Sequence, residues 1–101
     1  MKNVDNISSD FLLSLVTEKN MSLNTASSYR ADLKIFFKFI NDQNLNVEIL
    51  RKTDIHNFFQ NQKERGFLDS TISRRLSTIK QFFKFLIKEG LLDRNPCEDI
   101  K

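Results

Sequence analysis

The side chains able to carry reaction chemistry are few and stand apart. Among 101 residues there is one His, one Cys and one Tyr, at His56, Cys97 and Tyr29. His56 has no second His and no carboxylate cluster at ligand spacing, so it lacks the partners that acid–base catalysis or zinc binding would need. Cys97 follows Pro96 with no evident activating neighbour. Tyr29 falls on an apolar stripe, which fits a core ring with its hydroxyl near the surface. Two Gly in the whole chain leave no phosphate-cradling loop. The lone Cys excludes a disulfide framework or a Cys-rich zinc site and suits a reducing interior. No cofactor and no complete catalytic constellation are expected.

What the chain does carry is a row of cations. Between Ser70 and Gly90 stand Arg74, Arg75, Lys80, Lys84 and Lys88 against Glu89 alone, a net +4. The whole chain is only +3, so the rest sums to −1. At about 100° per residue, Arg74, Ser77, Gln81, Lys84 and Lys88 lie opposite that segment's apolar stripe, with Ser73 and Lys80 beside it. Arg, Lys, Ser and Gln are the side chains that reach phosphate oxygens and base edges, and a helix that presents them in a row has the dimensions to enter a major groove. The bland alternative is a solvated face, which any soluble helix shows.

Those residues need elements to hold them, and helical periodicity supplies four. The first is expected from about Ser9 to Lys19, capped by Ser8 or Ser9, with Phe11, Leu12, Leu15 and Val16 inward. The second runs from Ser22 or Asn24 to about Gln43, burying Ala26, Tyr29, Leu33, Phe36, Phe37 and Ile40. Its outer face carries short residues near its start and then Lys34 and Lys38, and a helix start also attracts phosphate through its free N–H groups. The third spans Asp54 to Arg65 with Thr53 as cap and Ile55, Phe58 and Phe59 inward; Gly66 ends it. The fourth starts after Asp69 or Ser70 and reaches Glu89, with Gly90 beyond and Ile72, Leu76, Ile79, Phe82, Phe83, Leu86 and Ile87 inward. Val47, Ile49 and Leu50 are read as a turn that plugs one end of the core. Phe39 and Phe85, at the edges of their stripes, either cover a neighbouring helix or mark a surface for another domain or subunit.

The fold class is therefore all-α, a four-helix bundle of two packed hairpins. Asn95-Pro96 stops any helix, and residues 95–101 read as the start of a linker after a domain over residues 1–94. The opening MKNVDNISSD has no apolar run of signal-peptide length, and no stretch approaches the ~20 residues that span a bilayer. A cytoplasmic protein without membrane contact is expected.

Two stretches carry a resemblance. FLLSLVTEKNMSLNTASSYRADLKIFFKFI resembles the opening of the Xer-type tyrosine recombinases of the phage-integrase family, at Glu18, Lys19, Asn20, Ser22, Asn24, Thr25, Tyr29, Arg30, Asp32 and Leu33. STISRRLSTIKQFFKFLIKEGLLDRNPCEDI is similar to that family's Arg-Arg-Leu-Ser helix and the Asn-Pro step after it, at Arg74, Arg75, Leu76, Ser77, Ile79, Lys80, Phe82, Phe83, Asn95 and Pro96. Lys80 stands where the family more often has Arg, which keeps the charge and loses the bidentate fork.

The resemblance implies an N-terminal core-binding domain of SAM-like fold, forming one half of a clamp on a double-stranded DNA half-site. Its partners would be a C-terminal catalytic domain of the same parent chain and other recombinase protomers. It also implies DNA contacts from the second and fourth helices: Thr25, Ser28 and Arg30, then Arg74, Arg75, Ser77 and Lys80. Periodicity adds Lys34, Gln81 and Lys84. Arg30 and Arg75 flank their apolar stripes, where pairing with Asp32 or Asp69 is the competing role. The alternative function is a stand-alone helical protein-interaction module that docks a partner through Phe39, Phe85 or the tail.

Overall fold

The computed structural model describes residues 4–100, so the expected limits at Met1 and Lys101 lie outside the described residues. Four α-helices follow in order: α1 (Val4–Glu18), α2 (Leu23–Asp42), α3 (Lys52–Glu64) and α4 (Asp69–Lys88), with a short 3₁₀ turn at Val47–Ile49 between α2 and α3. No strand occurs among the described residues. The architecture is the all-α, SAM-like bundle of two hairpins: α1 pairs with α2, α3 with α4, and the hairpins join chiefly where α2 packs on α4.

A chain with two Gly stops four helices by using Asn for the other two. Asn20, Asn44, Gly66 and Gly90 all take positive φ, at 55°, 56°, 82° and 71°. Each stands two residues past the last helical residue, where a left-handed turn lets the next amide return to an orphan carbonyl. The returning amides belong to Met21, Leu45, Phe67 and Leu91, bonded to Leu15, Ile40, Gln62 and Leu86 at 2.9–3.3 Å. Each is apolar: Met21 and Leu45 pack back against the core and Phe67 lies over Arg75, while Leu91 stays exposed.

The helix starts are less uniform. Ser22 caps α2 as expected, its Oγ accepting from the Thr25 amide at 3.1 Å. α3 begins at Lys52, not Asp54: Asp54 lies one turn in and its Oδ2 accepts from the Arg51 amide at 2.9 Å, so Thr53 is not the cap. α1 starts five residues ahead of the expected Ser9. Ser8 and Ser9 are therefore inside the helix, and Ile7 joins the buried stripe one turn before Phe11. The burial of Ile7 outweighs the poor helix propensity of Asn6, Ser8 and Ser9.

Nine of the ten Phe rings form one connected network that runs through the bundle. Phe11 meets Phe82 and Phe85; Phe82 meets Phe37 and Phe83; Phe83 meets Phe36; Phe36 and Phe39 meet Phe58, which meets Phe59, at 5.1–6.1 Å between centroids. Most contacts are edge-to-face, the arrangement ring quadrupoles favour. Phe39 and Phe85, whose role was open, cover Phe58 and Phe11 within the domain. The inward face of α4 is rotated from the expected stripe: Arg75 and Thr78 are buried, while Leu76 is half-buried and Ile87 is exposed. Phe37 and Phe59 are half-buried rather than central.

Val47 and Leu50 plug the core end as read from the sequence, and Ile49 faces solvent. The segment after Gly90 behaves differently from a free linker. Cys97 is 3 % exposed and sits in the core cluster, with Leu92 and Ile100 packed against it. The Asn95 side chain accepts from the Cys97 amide at 2.8 Å and organises that turn. Burial pushes the Cys97 thiol up to about 12 from its usual 9.0, against a smaller opposing pull from Lys80. The unfolded chain releases this proton near pH 9, so folding keeps it bound and the thiol's contribution to stability is lost progressively as pH rises from about 9 to 12. Cys97 in the folded domain should therefore react with a thiol reagent at pH 8 far more slowly than in the urea-unfolded chain. Equal rates would show that residues 95–100 do not pack as described.

Candidate nucleic-acid interface

The site is best built outward from Asp32, a carboxylate on α2 with 0 % exposure. An ionised carboxyl removed from water must have its acceptor positions filled. Four donors fill them. Arg74 grips both oxygens, Nη2 to Oδ1 at 2.6 Å and Nε to Oδ2 at 3.1 Å. Arg75 Nε reaches Oδ1 at 3.4 Å, and the Thr78 hydroxyl donates to Oδ2 at 2.9 Å. All three donor residues lie on one turn of α4, at i, i+1 and i+4.

Arg75 extends the network into α3. It is 6 % exposed, its Nη1 donates to the Gln62 side-chain oxygen, and its guanidinium lies 4.3 Å from the centroid of the Phe67 ring. That accounts for the tenth Phe: the loop between α3 and α4 lays it over a buried cation. Arg75, a proposed DNA contact, is thus turned into the core. Pairing with Asp32, the competing role stated for it, is what the structure places there.

Arg74 is different. Its inner edge holds Asp32, yet 44 % of its side chain is exposed. The hydrogen bond to Asp32 is the main influence on its pKa, which is raised from an already high value and keeps the guanidinium charged. Beyond it along α4, Ser77, Lys84 and Lys88 are exposed while Lys80 and Gln81 are half-buried. Lys80, Lys84 and Lys88 recur every fourth residue, so their attachment points rise by about 6 Å each. Together with Lys19 from the end of α1 they line a shallow groove floored by Phe11, Leu15 and Phe85. Glu18 is the groove's carboxylate, 3.8 Å from Lys88 in a pair exposed on both sides, where such pairs contribute little.

The α2 candidates divide. Tyr29 pairs with Gln81, whose Nε2 donates to the phenol at 3.0 Å, and Asp32 pairs with Arg74 and Thr78. The helices therefore run in opposite directions, and the start of α2 lies beside the C-terminal half of α4. Thr25 and Ser28 point within about 40° of Asp32 around α2, toward the α4 side. The Thr25 hydroxyl accepts from Ser22, and Ser28 Oγ donates to the Asn24 carbonyl. Arg30 and Lys34 are exposed on the far side of α2. Arg30 lines a separate groove with Leu12, Leu13 and Val16 of α1. The sequence-derived set is thus brought together at Thr25, Ser28, Arg74, Ser77, Lys80, Gln81 and Lys84, and not at Arg30, Lys34 or Arg75.

Asp32, Gln62, Phe67 and Thr78 were not singled out as site residues. The available signal was an acid and a base each one position off an apolar stripe, Asp32 beside Leu33 and Arg75 beside Leu76. Among the described residues no three His, Cys, Asp or Glu side chains gather as a metal site, and no helix is long and apolar enough to cross a membrane.

This bundle and its sequence define a class. Residues 9–90 match the family described as phage integrase, N-terminal SAM-like domain, and the chain belongs to that family. It is similar to tyrosine recombinase XerC of Roseiflexus castenholzii, 36% identical over 91 residues, covering 89% of this chain and 29% of that protein. Tyrosine recombinase XerC of Leptospira interrogans serovar copenhageni is 34% identical with the same coverage. Tyrosine recombinase XerC of Listeria welshimeri is 30% identical over 87 residues, covering 85% of the chain and 29% of the relative. The chain thus spans under a third of the length of the curated relatives it matches. No solved structure matches it.

The network sets a ranking of stabilities. Removing Asp32 strands a buried guanidinium, and breaking a buried ion pair costs about 3–5 kcal/mol. Removing Arg74 leaves Asp32 with Arg75 and Thr78, and a half-exposed partner costs roughly 1 kcal/mol. Urea unfolding of Asp32→Ala, Arg75→Ala and Arg74→Ala should place the first two well below the third. Equal midpoints would contradict the arrangement.

Proposed function

We propose that this chain is the DNA-binding, core-binding module of a tyrosine site-specific recombinase, and that it docks on a duplex half-site through α4 and the start of α2. The observation that carries the reading is the row of Arg74, Lys80, Lys84 and Lys88 along one helix, exposed but for the half-buried Lys80 and flanked by Ser77 and Gln81. Family membership supports it, since the relatives bear the name tyrosine recombinase. Most contacts go to phosphates, with Ser77, Gln81 and Lys80 in position to reach base edges. Thr25 and Ser28 let the α2 start approach the backbone closely. The chemistry of strand exchange belongs to a catalytic domain of the parent chain, and the module's other partners are further recombinase protomers, working where the DNA is, in the cytoplasm.

A protein-interaction module would need free aromatic anchors, and the two rings nominated for it, Phe39 and Phe85, are engaged inside the domain. Along the basic row, Lys84 is exposed, Lys88 makes only a solvent-exposed pair with Glu18, and the outer edge of Arg74 stays open to solvent.

The four cations of the row neutralise about four phosphates, so log K for a duplex should fall with log salt at a slope near −4. Lys84→Ala or Lys80→Ala should each reduce that slope by about 1 without unfolding the domain. Anisotropy titrations across salt concentrations measure both. A flat salt dependence, or unchanged binding in both variants, would remove the assignment of α4.

A further inference from the structure

Asp32 presents a paradox for a DNA-binding face. It is a carboxylate sited directly beneath the cation that leads the basic row, where a simple charge count makes it a liability. Its geometry suggests otherwise. Arg74 donates to Asp32 through Nε and one Nη2 proton, which leaves three of the five guanidinium N–H groups uncommitted in those bonds. The carboxylate is fully buried and held independently by Arg75 and Thr78. Arg74 is therefore clamped by one edge to a fixed point in the core, while the side chain remains 44 % exposed.

We propose that Asp32 is a positioning residue for DNA: it acts through Arg74, holding the guanidinium fork in the orientation in which its outer edge meets a phosphate or a guanine. The inference rests on the DNA-binding reading of α4 and deepens it by separating the roles of the tandem arginines. Arg75 ties the helices together inside the domain. Arg74 links the core to the nucleic acid. Lys84, exposed and without a fixed partner in the core, must be ordered when it binds, whereas Arg74 is already held by Asp32 in the free domain, which is the usual source of gain from preorganisation. A clamped planar fork also has directional specificity that a mobile ammonium lacks.

The two accounts of Asp32 predict opposite signs. Asp32→Asn adds one positive charge to the face, so long-range electrostatics alone would tighten DNA binding. Loss of positioning would weaken it. The test measures affinity for a fluorescein-labelled random-sequence duplex with wild type, Asp32→Asn, Arg74→Ala and the double variant, at a temperature where circular dichroism shows each to be folded. With Arg74 present, Asp32→Asn should weaken binding by about tenfold, the scale of one charge-assisted hydrogen bond. In the Arg74→Ala background it should not weaken binding at all. A general structural role would weaken both backgrounds alike, and that result, or tighter binding by Asp32→Asn, would overturn the proposal. Arg74→Lys gives an answer even where Asp32→Asn fails to fold, because Arg75 and Thr78 still hold Asp32: retained charge without the fork should bind about as weakly as Arg74→Ala, and wild-type affinity would overturn the proposal. A wild-type domain that binds no duplex would instead remove the reading of α4 itself.

Discussion

A carboxylate with no access to water dictates what surrounds it. Asp32 on α2 demands donors for both oxygens, and α4 meets the demand with Arg74, Arg75 and Thr78 on a single turn. Apolar contacts alone would let the α2–α4 packing slide by a turn at modest cost, because Phe, Leu and Ile stripes are permissive about which neighbour they meet. The ionic cluster is not permissive. A one-turn slip would leave a buried charge without its partner, at a cost comparable to a large part of the stability of a domain this size. The Arg75 link to Gln62 and its Phe67 cover carry the same constraint into α3 and the following loop. One acid thus sets the register of three helices, and the Phe network fills the space around it.

The cluster also changes the meaning of the charge map. A count along α4 reads as strongly basic, yet Arg75 is withdrawn into the core and Arg74 shares its charge with Asp32. What faces outward is a narrower feature: Arg74, Lys80, Lys84 and Lys88 in a row, bordered by Ser77, Gln81 and the start of α2. The row stays aligned because the rotation of α4 is fixed from within. Core and surface are two ends of the same set of side chains, with Arg74 belonging to both.

Most of the fold was legible in the sequence. The starts and ends of α2 and α4 followed from stripes of long apolar residues and from Ser22 and Gly90, since periodicity and caps both speak there. The start of α1 is hidden in the sequence because its first turns consist of Asn, Ser and Asp with only Ile7 to mark the buried side. The packing of Cys97 was hidden for a related reason: residues after Pro96 form irregular structure, which has no period to detect. The site was legible as a composition but not as a partition. Arg74 and Arg75 are adjacent and chemically identical, and only the rotation of α4, which buries Arg75 in place of Leu76, separates a core ligand from a surface one. That rotation follows from a contact across 43 positions of sequence, and no local pattern contains it. Arg30 and Lys34 stand on the side of α2 away from α4 for the same reason: which side of α2 faces the other hairpin is not written in its local pattern.

The central claim is that the outward row on α4 is where duplex DNA meets this domain, and backbone amide shifts recorded during titration with a duplex at low salt test it most directly. The account predicts the largest shifts at Arg74, Ser77, Lys80, Gln81 and Lys84, with smaller ones at Thr25 and Ser28, and their collapse when salt is raised. Shifts centred on the Leu13 and Arg30 groove, or on residues 91–100, with α4 unmoved, would contradict it.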